Sequence, residues 1–370
     1  MKKSFILIFS VSLLLFASCN KNNNPIPEGT YRTTENTLLK INGMQGLYTD
    51  YSETELTMEN ISGGTCSLTA TNLVTGQPSV TMNATCEEQG ASSVSINGTC
   101  ESGDRTITLS AVVSGSSILE LTLTEKITSP VAGRWRLDSL AIAYQHPDMT
   151  SITVHITPEF AFTLDVQEQV IPLLNNLVNE EIKSDPDFAT QYIEFTSDGF
   201  ITDEGTTGDD KYDLMYFVEE EESMINLFIR KSQIADLSDD YNDFVTENPE
   251  IAGLFTMFGI GEIFENPSSL TIPFLYKMPA GSELHIYVDQ TIAYPAIKEK
   301  EEVLNVLVKI IENITYEDFL AIAGDLGDFG QFINEGNFEE IKAILTKFIG
   351  TFLDGKAVYS ITAELVPFNA

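Results

Sequence analysis

From Glu53 to Glu125 the apolar residues recur at every second position, in short runs separated by Gly, Asn, Asp and Ser. A side chain that is buried at every second residue has to lie on one face of a strand, so this pattern excludes helix and predicts a sheet with one covered face. The runs are Glu53–Ile61, Thr65–Asn72, Ser79–Cys86, Ser92–Thr99, Arg105–Val113 and Ser117–Glu125, preceded by a pair around Gly29–Ile41. Their regular spacing predicts a mainly β N-terminal domain over residues 28–128, built as an antiparallel meander, a sandwich or a small barrel.

Register carries this reading to the cysteines. Thr65–Asn72 and Ser79–Cys86 can pair through the turn Thr75-Gly76-Gln77-Pro78. With Leu68 opposite Ala84 and Ala70 opposite Met82, Cys66 falls opposite Cys86, and a disulfide between them is expected in an oxidising compartment. Cys100 would continue the face of Val94, Ile96 and Gly98 as a buried free thiol. Three cysteines allow other single pairings, which stay open at this point.

Composition changes abruptly at Thr128-Ser129-Pro130. Of 22 phenylalanines, 19 fall at Phe160 or later, and the single Trp135 and all three histidines also lie beyond residue 130. Residues 131–370 carry 43 acidic against 13 basic side chains, a net of −30 within a chain total of −35. A field of that sign opposes nucleic acid, because counterion release needs Lys and Arg facing the phosphates. Strands are expected at Arg134–Ala143, Ile152–Ile156, Tyr192–Ile201, Tyr212–Glu219, Met224–Arg230, Leu270–Met278, Glu283–Val288 and Lys356–Val366. Two sets recur at helical spacing: Val166, Val170, Leu173, Leu174, Leu177, Val178 and Ile182, and then Phe338, Ile341, Leu345, Phe348, Ile349 and Phe352. Val303–Ile314 is apolar around most of its circumference and is expected beneath other elements, while Gly-broken Ile251–Phe264 could form a lid. Residues 131–370 therefore read as an α+β domain, a curved antiparallel sheet with inserted helices.

The first residues resemble known export signals. Met1-Lys2-Lys3 precedes the apolar run Phe5–Phe16, which is too short to span a bilayer, and Leu15-Phe16-Ala17-Ser18-Cys19 is similar to the bacterial lipobox. That resemblance implies a signal peptide at 1–18, lipidation of Cys19, and a tether at 19–27 holding the protein to the outer membrane, with Asn20 after the cysteine fitting that destination. Whether it faces the periplasm or the medium stays open. Gly133-Arg134-Trp135 is similar to the Gly-x-Trp opening of lipocalin barrels, and Ile193–Phe200 with the Tyr212 strand looks like the middle of lipocalin-like domains in Bacteroides lipoproteins. The whole chain resembles a family of two-domain lipoproteins from that group. The resemblance implies a lipocalin-like C-terminal half with a hydrophobic concavity, and Trp135 reads there as a plug rather than a ligand platform.

Chemistry is sparse. The chain has no Gly-x-Ser-x-Gly elbow, phosphate loop or His-Glu-x-x-His, and His146, His155 and His285 are far apart in sequence. Cys66, Cys86 and Cys100 lie in a half without histidine, so no thiol catalyst is expected. Calcium is the one ion the composition invites. Asp236–Glu247 has oxygen ligands at EF-hand positions, but Tyr241 stands where the loop needs Gly, and Ile234, Leu237, Tyr241, Phe244 and Val245 fit a helix stripe instead. Asp203–Asp210 reads as an acidic hairpin loop with some capacity for an ion, and Asp138-Ser139-Leu140 matches the short O-glycosylation motif of Bacteroides secreted proteins. These features predict a non-enzymatic envelope lipoprotein that binds a hydrophobic small molecule or lipid in its second half. The alternatives are a glycan-binding or adhesive surface protein, whose second half makes the contact, and an enzyme with no recognisable motif.

Overall fold

The computed structural model describes residues 26–90, 92–157, 160–185, 190–208, 210–247, 263–264, 267–279, 283–317 and 335–368. The signal segment, Cys19 and the tether as far as Pro25 lie outside the described residues, as do positions 251–262 of the expected lid.

The period-two region folds as expected and curls. Its strands are β1 (Gly29–Arg32), β2 (Leu38–Ile41), β3 (Met44–Gln45), β4 (Glu55–Ser62), β5 (Thr65–Thr71), β6 (Ser79–Gln89), β7 (Ser93–Ser102), β8 (Arg105–Ser114) and β9 (Ser117–Ile127), with a helical turn, α1 (Tyr48–Tyr51), before β4. They form one nine-stranded sheet in the order β1-β4-β5-β6-β7-β8-β9-β2-β3, and β1 also meets β9 at Arg32–Ser117, so the meander bends until its ends touch. Alternate residues fill the interior. Leu56, Met58, Leu68, Ile96, Ile107, Leu109, Ile118, Leu121 and Leu123 are fully buried, while Thr, Ser and Glu face outward.

The β5–β6 register differs from the expected one by two residues. Leu68 lies opposite Met82, Ala70 opposite Val80 and Cys66 opposite Ala84, whereas Cys86 faces Ile96 on β7. A shift of two keeps every side chain on its own face, which is why the alternation alone could not detect it.

The curved antiparallel sheet expected of the second half closes on its own first strand into a barrel. Its strands are β10 (Gly133–Gln145), β13 (Ile193–Phe195), β14 (Phe200–Asp203), β15 (Leu214–Glu219), β16 (Met224–Ile229), β17 (Leu270–Lys277), β18 (Leu284–Asp289) and β19 (Val358–Pro367). Every neighbouring pair is antiparallel, and β19 returns to β10 from Pro367 against Trp135 to Val358 against Gln145. A hairpin, β11 (Ser151–Thr157) with β12 (Phe160–Asp165), and helix α2 (Ile171–Ser184) are inserted after β10. Helix α3 (Lys231–Glu247) follows β16, and α4 (Gln290–Glu299), α5 (Glu301–Asn313) and α6 (Phe338–Leu353) precede β19. The closed barrel fits the lipocalin-like description, with helices in its connections.

Two local expectations are corrected, at Tyr192–Ile201 and Val303–Ile314, and the helix expected over Asp236–Glu247 is present. Tyr192–Ile201 is two short strands, because Gly199 at φ +83° allows a tight turn, with the Phe200 amide donating to Thr196 Oγ1. The EF-hand spacing at Asp236–Glu247 lies inside α3, as the apolar stripe indicated. Helix α5 is not covered all round: Val306 is 38% and Ile310 46% exposed.

The two halves meet through the outer face of the barrel. Phe217 packs so closely on Gly76 that a Cβ there would fall 2.3 Å from the ring. The Arg105 guanidinium lies 5.4 Å from the centroid of the same ring, and the Ser232 amide and hydroxyl both donate to Asp50. Beneath this contact Arg105 and Glu125 form a buried ion pair of 2.8 Å, with Glu125 also accepting from Thr75.

Candidate functional site

Parity along the barrel strands separates a wall that faces in from one that faces out. Pairings carry the inner face from Trp135 to Ile193 and Asp203, from Ile201 to Leu214, from Val218 to Ile225 and Phe274, and from Ile286 to Ala363. At one end this face is filled. Trp135, Phe195, Tyr216, Val218, Ile225, Leu284 and Leu365 form a buried cluster with Ile127 and Val131 from the junction of the halves. The indole Nε1 of Trp135 donates to the Val131 carbonyl at 2.8 Å, so Trp135 plugs this end, as its position in the sequence suggested.

At the opposite end of the β10–β19 ribbon, Tyr144 and Tyr359 pack with Ile344, Phe348 and Phe352 of α6. Between the two clusters the wall is incompletely covered. Leu140, Ile142, Leu227, Ile229, Ile272, Phe274, Ile286 and Val288 are half-buried, and Ile361 is 58% exposed. An eight-stranded barrel has an interior that side chains can just fill or that can hold one small ligand. Here both ends are packed, one by side chains of the barrel itself and the other with α6, and the band between them is half-buried.

The wall opens beside β13. Its ladder to β10 stops at Trp135–Ile193, and β10 continues without that neighbour. Two asparagines one helical turn apart on α2 take over the free edge: Asn175 accepts from the Ile142 amide and donates to its carbonyl, and Asn179 does the same for Leu140. Below this clamp lies a cavity of about 490 Å³ lined by Trp135, Leu137, Gln191, Tyr192, Ile193 and the turn Asp203–Gly205. That volume is within the usual range for a small-molecule site. Asp203 Oδ1 accepts from the Gly205 amide at 2.9 Å and from Thr206 Oγ1 at 2.7 Å. The Thr206 hydrogen bond, ahead of the turn amides, holds the Asp203 carboxyl below its ordinary range.

The other singled-out residues have structural partners. His146 Nδ1 accepts from the Asp148 amide, so its Nε2 donates to Asp354 at 3.0 Å; His155 pairs with Glu340 and His285 with Glu283. His146, Asp148 and Asp354 are the one close group of potential metal ligands among the described residues. Both nitrogens of that imidazole are engaged, and Lys356 Nζ lies 3.0 Å from Asp148 and 3.5 Å from Asp354. A single ammonium already bridges the two carboxylates, and the group acts as a clasp between β10 and the α6–β19 connection.

Ser139 donates to Glu364 from within β10. Cys66, Cys86 and Cys100 are free thiols in the structure, the first two buried and Cys100 half-buried rather than fully covered. Burial, then the neighbouring Cys86, pushes the Cys66 thiol up to about 11, opposite to what a thiol nucleophile needs.

A second concavity lies on the first half. It measures about 770 Å³ and is lined largely by hydroxyl and amide side chains, among them Asn60, Ser67, Asn83, Thr85, Asn97 and Thr108.

Comparison with protein-family models, curated proteins and solved structures finds no match. Among the described residues no helix is long and apolar enough to cross a membrane.

Proposed function

We propose that the protein is a non-enzymatic, lipid-anchored binding protein of the outer membrane, tethered through Cys19, that takes a hydrophobic small molecule or lipid into its C-terminal barrel. The half-exposed apolar band between the Trp135 cluster and α6, together with the slot beside Trp135, carries this reading. Leaving so many aliphatic side chains partly wet costs about 25 cal/mol for each Å² of apolar surface, which a ligand tail would recover. Such a protein needs no catalytic group, and every histidine in the described residues is engaged with a carboxylate.

Trp135 is the only tryptophan in the chain and lines the slot, so it is an intrinsic probe. Titration with the uncharged dye N-phenyl-1-naphthylamine is expected to raise dye emission and quench Trp135, and Ile193→Asp is expected to weaken both changes. No response in either signal would overturn the reading. Mass measurement of the mature protein, expected to begin at an acylated Cys19, checks the anchor.

A second reading is supported by the polar concavity of the first half, where hydroxyls and amides in rows suit a glycan. The contact surface would then lie on the first half, not the second. Binding to a polysaccharide array that Asn83→Ala with Asn97→Ala removes would favour it.

A further inference from the structure

The chemical class of the ligand head can be read from one position in the barrel register, given the binding function proposed above. Every inward-facing strand residue beyond Gly133 is apolar or aromatic except one. Asp203, paired with Ile193 and through it with Trp135, stands on the inner face at the edge of the slot. Its neighbour Glu204 lines the same cavity. We propose that the slot selects an amphiphile bearing a positively charged amine or quaternary ammonium, with Asp203 and Glu204 receiving the head and the apolar band receiving the tail.

Geometry and charge both favour a cation at this place. The Asp203 side chain is fixed by the Gly205 amide and the Thr206 hydroxyl, so the carboxylate is already oriented before a ligand arrives. Its lowered pKa keeps it ionised through neutral pH. Arg134, one of the cations close by, is committed elsewhere: its Nε lies 2.9 Å from Glu194, and its guanidinium stacks 4.9 Å from the Tyr192 ring centroid. A fatty-acid carboxylate entering the slot would meet two acids within a half-molecule of net charge −30. The wall is long enough for a tail. Trp135 to Ile142, with the bulge after Leu137, spans six residues of the facing β19, about 20 Å at about 3.3 Å per residue of strand.

The experiment compares dodecyltrimethylammonium with dodecanoate on the mature protein, below their micelle concentrations, reading Trp135 emission at low and moderate salt. The expected result is at least tenfold tighter binding of the ammonium, narrowing as salt rises. In the Asp203→Asn/Glu204→Gln variant the preference is expected to fall below threefold. In Glu87→Gln/Glu88→Gln, which removes two acids from the first half, it is expected to persist, separating a local site from general attraction to an acidic protein. Equal binding of the two chains overturns the assignment of the head while leaving the hydrophobic site intact. A preference that survives Asp203→Asn/Glu204→Gln, with circular dichroism showing the variant folded, overturns the role of these two acids. If neither chain nor the uncharged dye binds, the underlying function fails as well.

Discussion

Both halves of the chain solve the same problem, a sheet that must cover its apolar face, and both do so by curling the sheet onto itself. In the first, the inward residues are of moderate size: Leu, Ile and Met at fully buried positions, with Ala70, Ala84, Ala111 and Gly98 between them. The gaps are small enough that a Cβ on Gly98 would fall 2.6 Å from Met82 Sδ. In the second, large rings gather at the two ends of the wall, Trp135, Phe195 and Tyr216 at one and Tyr144, Phe348 and Phe352 at the other. The apolar band between them is only half-buried. The second sheet closes fully and the first meets itself only at Arg32–Ser117, and the two differ in how completely side chains fill the inside.

Substitutions can break this contrast, and the largest effect is expected at the buried ion pair of the first half. Arg105→Ala leaves Glu125 buried without its partner and is expected to cost about 3–5 kcal/mol, measured as a lowered urea midpoint. Leu109→Ala should follow at about 2–5 kcal/mol, because Leu109 is fully buried in the packed interior of the first half. Ile142→Ala in the barrel wall should cost only about 1 kcal/mol, since a half-exposed side chain loses part of a burial worth about 1.5–3 kcal/mol. Equal losses at Leu109 and Ile142 would mean that the second half is as well filled as the first. Asn175→Ala removes two hydrogen bonds to β10 and is expected to cost about 1–3 kcal/mol, with faster amide exchange concentrated at Ile142.

The smallest effect is expected from acid. Asp354 is lowered chiefly by the Lys356 amide, with His146 contributing, and Glu340 by the amide and ring of His155. A depressed carboxyl stabilises the fold above its unfolded pKa and loses that contribution as pH falls through the folded one. Burial acts the other way on Glu125 and raises it, despite the opposing pull of Arg105 and Thr75. Its contribution is present below the unfolded pKa and fades as pH rises. Between pH 6 and pH 3 hydrogen-exchange protection, taken relative to the intrinsic rate at each pH, should therefore fall modestly in α6 and not in β9 around Glu125.

Much of the strand layout was legible because alternation is a local signal. The six runs between Glu53 and Glu125 each match a strand to within a few residues, and the stripe at Val166–Ile182 became a helical turn at Val166–Val170 and most of α2. What depends on partners was hidden. Alternation fixes the face of Cys66 but not its neighbour across the ladder, so a two-residue slip went unseen. Leu173 and Leu177 have the spacing of buried residues, yet are 51% and 48% exposed, since no local rule says which stripe finds a cover. In the slot, the acidic turn and Trp135 were singled out separately. Their meeting depends on β13 and β14 bringing positions some 68 residues apart into one row, and the asparagine pair on α2 left no sequence signal distinct from a polar helix face.

That asparagine pair has a consequence beyond the barrel's own stability. A bare strand edge is a template on which a second copy of the chain can add a strand, and repeated addition produces fibres. A side-chain amide offers the donor and acceptor of a neighbouring strand without exposing a further edge of its own. With Asn175 and Asn179 in place, β10 can end its pairing early and leave the wall open, and self-association through that edge stops at the helix.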